Sequence, residues 1–186
     1  MNDELLKWKT VSSRLLLHTP VFDVSEQDEV SATGIEGKYV AVSAVDWVVV
    51  VPVYRDCFVM VRQWRHAADR LTTEFPGGVM NAGEDPVETA RRELLEETGF
   101  RAGKMTLLGS CSPNPALFKN RFYCFLAEDM EPTGSQELDG DELLEYELVP
   151  IEKVIAEFGS DDMTHAFMGT ALAFWFRHIG FVPGGK

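Results

Sequence analysis

Glu93, Glu96 and Glu97 fall at i, i+3 and i+4 of a single predicted helix, so their three carboxylates project from neighbouring positions on one face. Like charges that close disfavour an isolated helix by a few tenths of a kcal/mol per pair, roughly. A solvated acidic face is one outcome of such a pattern. The other is a nest of hard oxygen donors for a divalent cation such as Mg²⁺, which accepts carboxylates and keeps several waters. Just upstream, Glu74-Phe75-Pro76-Gly77-Gly78 permits a tight turn in which backbone atoms approach an ion or a phosphate closely.

The element that must position the carboxylates has clear ends. Asp85 is a capping residue, Pro86 suits the first helical position, and Glu88 stands where a capping box wants a carboxylate. Gly99 is placed to stop the helix in a left-handed conformation. The helix is therefore expected over Pro86 to Thr98.

Around it the chain reads as strands first, helices interleaved and last. Val11 to Leu17, Val21 to Val24 and Tyr39 to Val45 are short apolar or alternating runs, and Gly34 to Gly37 is a turn. Val48 to Val53 is a β-branched run buried on both faces, expected to end at Pro52, with Arg55-Asp56 turning into Cys57 to Val61. Strands are also expected at Lys104 to Gly109, Arg121 to Ala127 and Leu143 to Val149, and helices at Ile151 to Phe158 and Met163 to His178, the last capped by Ser160. Such an order predicts a mixed-sheet α/β or α+β domain.

Composition limits the partners. Thirty acidic against seventeen basic side chains give a net charge of −13, with no polybasic run, which disfavours nucleic acid and anionic lipid. Residues 128–147 hold nine acidic side chains and no basic one. Three cysteines, Cys57, Cys111 and Cys124, are too few and too scattered for a disulfide framework or a zinc ribbon, which fits a reducing, cytoplasmic setting. The N-terminus lacks a signal-peptide core, and the apolar stretch Met163 to Phe176 falls short of the roughly twenty residues of a membrane span. His18, His66, His165 and His178 are scattered, giving little support to a triad or a zinc site.

Between Gly78 and Phe100 the residues spell G-x5-E-x7-R-E-L-x-E-E-x-G-F, through Gly78, Glu84, Arg92, Glu93, Glu96, Glu97 and Gly99. Every fixed position resembles the box of the Nudix hydrolases. The resemblance implies an α/β/α sandwich with a mixed β-sheet and an N-terminal antiparallel β extension. It divides the chain into an extension over residues 1–40, expected to make a homodimer, and a catalytic domain over residues 41–186. It also implies Mg²⁺-dependent hydrolysis of a nucleoside diphosphate derivative, with Mn²⁺ as the alternative ion. By position, Glu93 and Glu97 look like the principal metal ligands, Glu96 helps, and the Gly77 carbonyl is a backbone candidate. Arg92 and Glu84 look like supports joining loop to helix.

Trp8 to Arg14, the Arg62-Gln63-Trp64-Arg65 segment and Glu74 to Gly78 are similar to the ADP-ribose pyrophosphatase group, as is Pro115, sixteen residues beyond Gly99. That likeness implies phosphate contacts from Arg62 and Arg65, with surface salt bridges as the competing role, more so for Arg62. It implies adenine stacking on Trp8 and Tyr39, against sheet packing as the alternative, and a ribose contact or turn support from Glu74. Glu142 is the first choice for the catalytic base, with Glu137 and Asp139 behind it. Gly77, where the group commonly has alanine, and the segment Ser112 to Phe118 depart from the group. The resemblance thus implies hydrolysis of the pyrophosphate bond of ADP-ribose or a related nucleoside diphosphate sugar, giving a nucleoside monophosphate and a sugar phosphate, with another dinucleotide such as NADH as the alternative. A sensor without turnover is disfavoured because every box glutamate is present, and an RNA-cap hydrolase because the chain lacks a basic path.

Overall fold

The computed structural model describes residues 2–138, 140 and 142–181. They form two compact units, residues up to 45 with 112–121, and residues 46–111 with those from 122 onward.

In the first unit, β1 (Trp8–His18), β2 (Phe22–Ser31) and β3 (Glu36–Ala44) make an antiparallel sheet in that order. Strand β2 runs well past the expected Val24, because its acidic residues are paired across the sheet. Glu26 meets Arg14 at 3.1 Å, and Asp28 accepts from Ser12 at 2.6 Å and from Lys38. Thr19 closes the β1–β2 turn, its Oγ1 donating to the Phe22 carbonyl at 2.7 Å and accepting from the Phe22 N–H at 2.9 Å. Segment 112–121 lies along β3, with Val42 N–H donating to Leu117 O and Lys119 N–H to Val42 O.

The second unit is built on β4 (Trp47–Tyr54), β5 (Cys57–Arg65), β6 (Arg70–Glu74), β7 (Phe100–Cys111), β8 (Phe122–Pro132) and β9 (Leu144–Pro150). The sheet order is β6-β5-β4-β8-β7, with β9 also on β5. It is mixed, since β4 and β8 are parallel and the other pairs antiparallel. The alternation along β4 sets the layers. Val48 and Val50 point into one core with Ala90 and Leu94 of α1 (Pro86–Thr98). Val49 and Val51 point into another, with Val154 of α2 (Ile151–Glu157) and Met168, Leu172 and Trp175 of α3 (Ala166–His178). Helices therefore cover both faces, giving the α/β/α sandwich.

Helix α1 has the expected ends. Asp85 accepts from Val87 N–H at 3.0 Å, and Gly99 adopts φ 66° with its N–H on Leu95 O. Three further expectations change. Strand β4 does not end at Pro52, which pairs with Ala127 of β8. On its other side the ladder to β5 begins only at Val53, so the missing proline N–H leaves no neighbour unpaired there. Strand β6 is additional, held by Thr72 and Thr73 in register with Gln63 and Arg62. Helix α3 starts at Ala166 rather than Met163, because Ser160 Oγ takes the Met163 N–H in a turn that precedes it. Among the described residues, no helix is long and apolar enough to cross a membrane.

Since Leu94 is wholly buried between α1 and β4, Leu94→Ala should destabilise the protein by about 2–5 kcal/mol. Urea unfolding followed by far-UV circular dichroism checks this, and a loss below about 1 kcal/mol would contradict the packing described.

Candidate active site

The packing of Ala90 and Leu94 onto β4 brings Glu93 and Glu97, on the adjoining part of the same buried face of α1, against the segment Pro76-Gly77-Gly78. That segment is laid along β4 by Val50 N–H donating to Pro76 O and Val48 N–H to Gly78 O, both at 2.9 Å. Among the described residues none donates to the carbonyl between them, that of Gly77. The glycines are required by close approach. A Cβ on Gly77, which has φ 155°, would stand 2.2 Å from the Val48 carbonyl oxygen, and one on Gly78 would stand 2.6 Å from the Glu93 carboxyl group. Glu97 lies under the same segment and accepts the Gly77 N–H at 2.8 Å.

Arg92 ties the loop to the helix. Its Nε and Nη2 donate to the two oxygens of Glu84 at 3.1 and 3.2 Å, and its Nη1 donates to Glu93 at 2.9 Å and to Glu96 at 3.0 Å. Glu84 also accepts the Asn81 N–H at 3.0 Å. The fork of Arg92 and the Asn81 amide hold the Glu84 carboxyl down at about 2. One guanidinium thus serves three carboxylates, and the buried ones are left short of positive charge. Burial pushes Glu93 up to about 7 against the pull of Arg92, with Glu96 and Glu142 adding to the rise. Burial pushes Glu97 up to about 8, opposed by the Gly77 N–H and raised further by Glu93 and Glu142.

Among the described residues, no three carboxylate, imidazole or thiolate groups are arranged to hold an ion between them. Arg92 takes an oxygen from Glu93 and one from Glu96, and the Gly77 amide takes one from Glu97. Magnesium is commonly bound through one or two carboxylates, waters and substrate phosphate rather than by an all-protein cage. Hard oxygen donors whose ionised form lacks compensating positive charge fit such a cation.

Arg65, at the end of β5, forks onto Glu74 of β6, its Nε donating to Oε1 at 2.9 Å and its Nη2 to Oε2 at 2.6 Å. Glu74 is 2% exposed, and also accepts from Thr72 Oγ1 at 2.6 Å and bonds His165 Nδ1 at 2.7 Å. Despite burial, these partners hold its carboxyl well below the usual range. The two arginines exchange their expected roles as ion-pair formers. Arg65 makes the salt bridge, whereas Arg62 donates to the neutral Thr73 hydroxyl at 3.1 Å.

Two cavities meet at Arg65. A groove of about 1070 Å³ is lined by Arg62, Trp64, Arg65, Leu71 and Glu142 among others. A smaller cavity of about 180 Å³ is lined by Arg65, Glu74, Gly77, Gly78, His165 and Phe167 among others. The box carboxylates line neither, but Gly77 and Gly78 stand between them and the smaller cavity. Glu142, the base candidate from sequence, shares the groove with both arginines, and its charge reaches Glu93 and Glu97. Glu137 instead docks through its N–H on Glu96 O at the end of α1, and Asp139 lies outside the described residues. In the first unit, Tyr39 and Pro115 line a cavity of about 260 Å³, and Trp8 meets the Tyr39 ring edge-on at 5.5 Å. His165 is the residue that spacing does not single out. Its partner is 91 positions away in sequence, and only the fold brings them together.

The model of the NUDIX domain matches residues 44–167. ADP-ribose pyrophosphatase of Bacillus subtilis is 32% identical over 152 residues, covering 81% of this chain and 82% of that one. The ADP compounds hydrolase NudE of Escherichia coli is 27% identical over 144 residues, 76% of each. A crystal structure of an ADP compounds hydrolase superposes with a TM-score of 0.82 and 24% identity, covering 95% of this chain and 97% of that one. With a complete box and this fold, the chain belongs to the Nudix hydrolase family.

The raised carboxyls predict a pH dependence. An acid whose folded value exceeds its unfolded value keeps its proton in the folded state after the unfolded chain has lost it. Stability then falls as pH rises from about 4.5 through 7 to 8. In EDTA, the melting temperature should drop between pH 5.5 and 8.5, and Glu97→Gln should reduce the drop. A wild-type melting temperature that rises over this interval would contradict the charge imbalance.

Proposed function

We propose that the chain hydrolyses the pyrophosphate bond of ADP-ribose or a related ADP-sugar, in a Mg²⁺-dependent reaction, giving AMP and a sugar phosphate. The observation that carries this is the pair of buried, under-neutralised carboxylates, Glu93 and Glu97, set against Gly77 and Gly78 beside a cavity that also holds Arg65. The names borne by the Bacillus subtilis and Escherichia coli relatives support an ADP-containing substrate.

Glu93 and Glu97 would hold the ion, with Glu96 and the Gly77 carbonyl assisting. Bound there, a divalent cation would neutralise diphosphate charge and strengthen water as a nucleophile. Arg65 donates to a phosphate oxygen with the guanidinium hydrogens that Glu74 does not use, and Arg62 extends the same wall along the groove. Glu142 takes the proton of the attacking water on a carboxylate oxygen. The bridging oxygen leaves on a phosphate that is already a weak base, so no general acid is required. The exposed apolar groups of β1 and β3, Val11, Leu15, Leu17 and Val40 among them, support a homodimer through the first unit, with Trp8, Tyr39 and Pro115 at the adenine. Three free cysteines support a cytoplasmic location.

A panel of ADP-ribose, ADP-glucose, NADH and diadenosine polyphosphates, with products resolved by chromatography, tests the substrate. ADP-ribose or an ADP-sugar should be preferred, and EDTA should abolish turnover. Glu97→Gln should lower kcat/KM by about a hundredfold or more while the protein stays folded. Wild-type turnover by that variant in saturating Mg²⁺ would overturn the ligand assignment. Sedimentation equilibrium at micromolar concentration should return twice the chain mass, and a monomer would remove the dimer together with any shared adenine site.

A further inference from the structure

His165 does not behave as a helix cap or as a core histidine. It occupies the N-cap position of α3, yet its side chain makes no bond to the helix N–H groups, where a serine or aspartate would satisfy one. The ring is instead drawn to Glu74. Thr73 N–H of β6 donates to Asp162 O at 2.7 Å, which lays the chain before α3 along the edge of β6 and delivers His165 to the Glu74 carboxylate. The imidazole rests on Phe167, with centroids 4.7 Å apart, and lines the cavity shared with Arg65, Gly77 and Gly78.

The partner fixes one of the ring protons. An ionised carboxylate only accepts, so Nδ1 must carry the hydrogen in the 2.7 Å bond to Glu74 Oε2. That leaves Nε2 as the atom able to meet a ligand, and among the described residues no hydrogen bond is made to it. Glu74 already has the fork of Arg65 and the hydroxyl of Thr72. The same carboxylate therefore fixes two donors, Arg65 and His165, at one cavity.

We propose that His165 binds the diphosphate of the substrate as an imidazolium, keeping Nδ1–H on Glu74 and donating Nε2–H to a phosphate oxygen beside Arg65, with Glu74 as the residue that positions both. A cavity of about 180 Å³ is smaller than the roughly 300–1,000 Å³ of a site for a whole drug-sized ligand, and suits one polar end of a longer molecule. The proposal rests on the ADP-compound reading above, and its test separates the two.

The two amide variants divide the ring's functions. Asparagine places its amide nitrogen near the position of Nδ1 and keeps the bond to Glu74, whereas glutamine reaches toward the position of Nε2. With whichever ADP compound the wild type turns over, His165→Asn should raise KM about tenfold or more with kcat changed less than about threefold. His165→Gln should recover most of that loss. A purely structural His165 would leave His165→Asn at the wild-type KM, and that result overturns the proposal. Histidine side-chain NMR of the wild type with α,β-methylene-ADP gives a second readout that needs neither turnover nor a folded variant. The Nε2 resonance of His165 should shift while those of His18 and His178 stay, and an unmoved His165 at saturation overturns the proposal. If the wild type cleaves no ADP compound while the resonance still shifts, the catalytic reading fails and the binding role of His165 stands.

Discussion

The site depends on a contact that only glycine allows. The Glu93 carboxyl group lies where a side chain on residue 78 would be, and Glu97 reaches the amide of residue 77. Both carboxylates are thereby held out of water, at 7% and 3% exposure, with too little positive charge to balance them. Arg92 cannot supply it, because two of its nitrogens are engaged by Glu84. Hence Glu84 falls to about 2 while Glu93 rises to about 7, although both bond the same guanidinium. Geometry and electrostatics share one cause, the flank of α1 pressed against a glycine loop, and the rest of the second unit keeps α1 there. Leu94 and Ala90 seat it on β4, Asp85 and Gly99 fix its ends, and the Ser135 carbonyl lies 2.7 Å from where a Cβ on Gly99 would stand.

What was legible in the sequence is what is encoded locally. The caps of α1, the spacing of its carboxylates and the continuous valine run of β4 each lie within one turn or one strand, and each is found where it is read. The polar half of β2 was not legible, because Glu26 and Asp28 become strand residues only through partners on neighbouring strands. Strand β6 was missed for a related reason. Arg70 to Glu74 has little apolar content of its own and is held by β5 on one side and by the Asp162 carbonyl on the other. The start of α3 was misplaced because Ser160 caps a turn rather than the helix.

The same limit governed the site. The box is a local motif and could be read whole. The Arg65–Glu74–His165 cluster is assembled from β5, β6 and the residue before α3, and its members have no common spacing. For the arginines the pairing differs from the expectation, since the β5–β6 register, with Val61 opposite Glu74 and Arg65 opposite Arg70, puts Arg65 and Glu74 on the same face of the sheet, where the fork forms.

A chain of net charge −13 must nevertheless receive an anionic diphosphate under the proposed function. The Arg65–Glu74 pair is suited to orientation more than to attraction, because the carboxylate that immobilises the guanidinium also cancels its charge. What the pair contributes is a fixed set of remaining donors, held by a carboxylate 2% exposed to solvent. Attraction then has to come from elsewhere, and the box carboxylates are themselves repulsive. A divalent cation seated on them would reverse that sign. The two halves of the site thus require each other: carboxylates without enough positive charge to be stable when ionised, and donors without enough net charge to draw the substrate in.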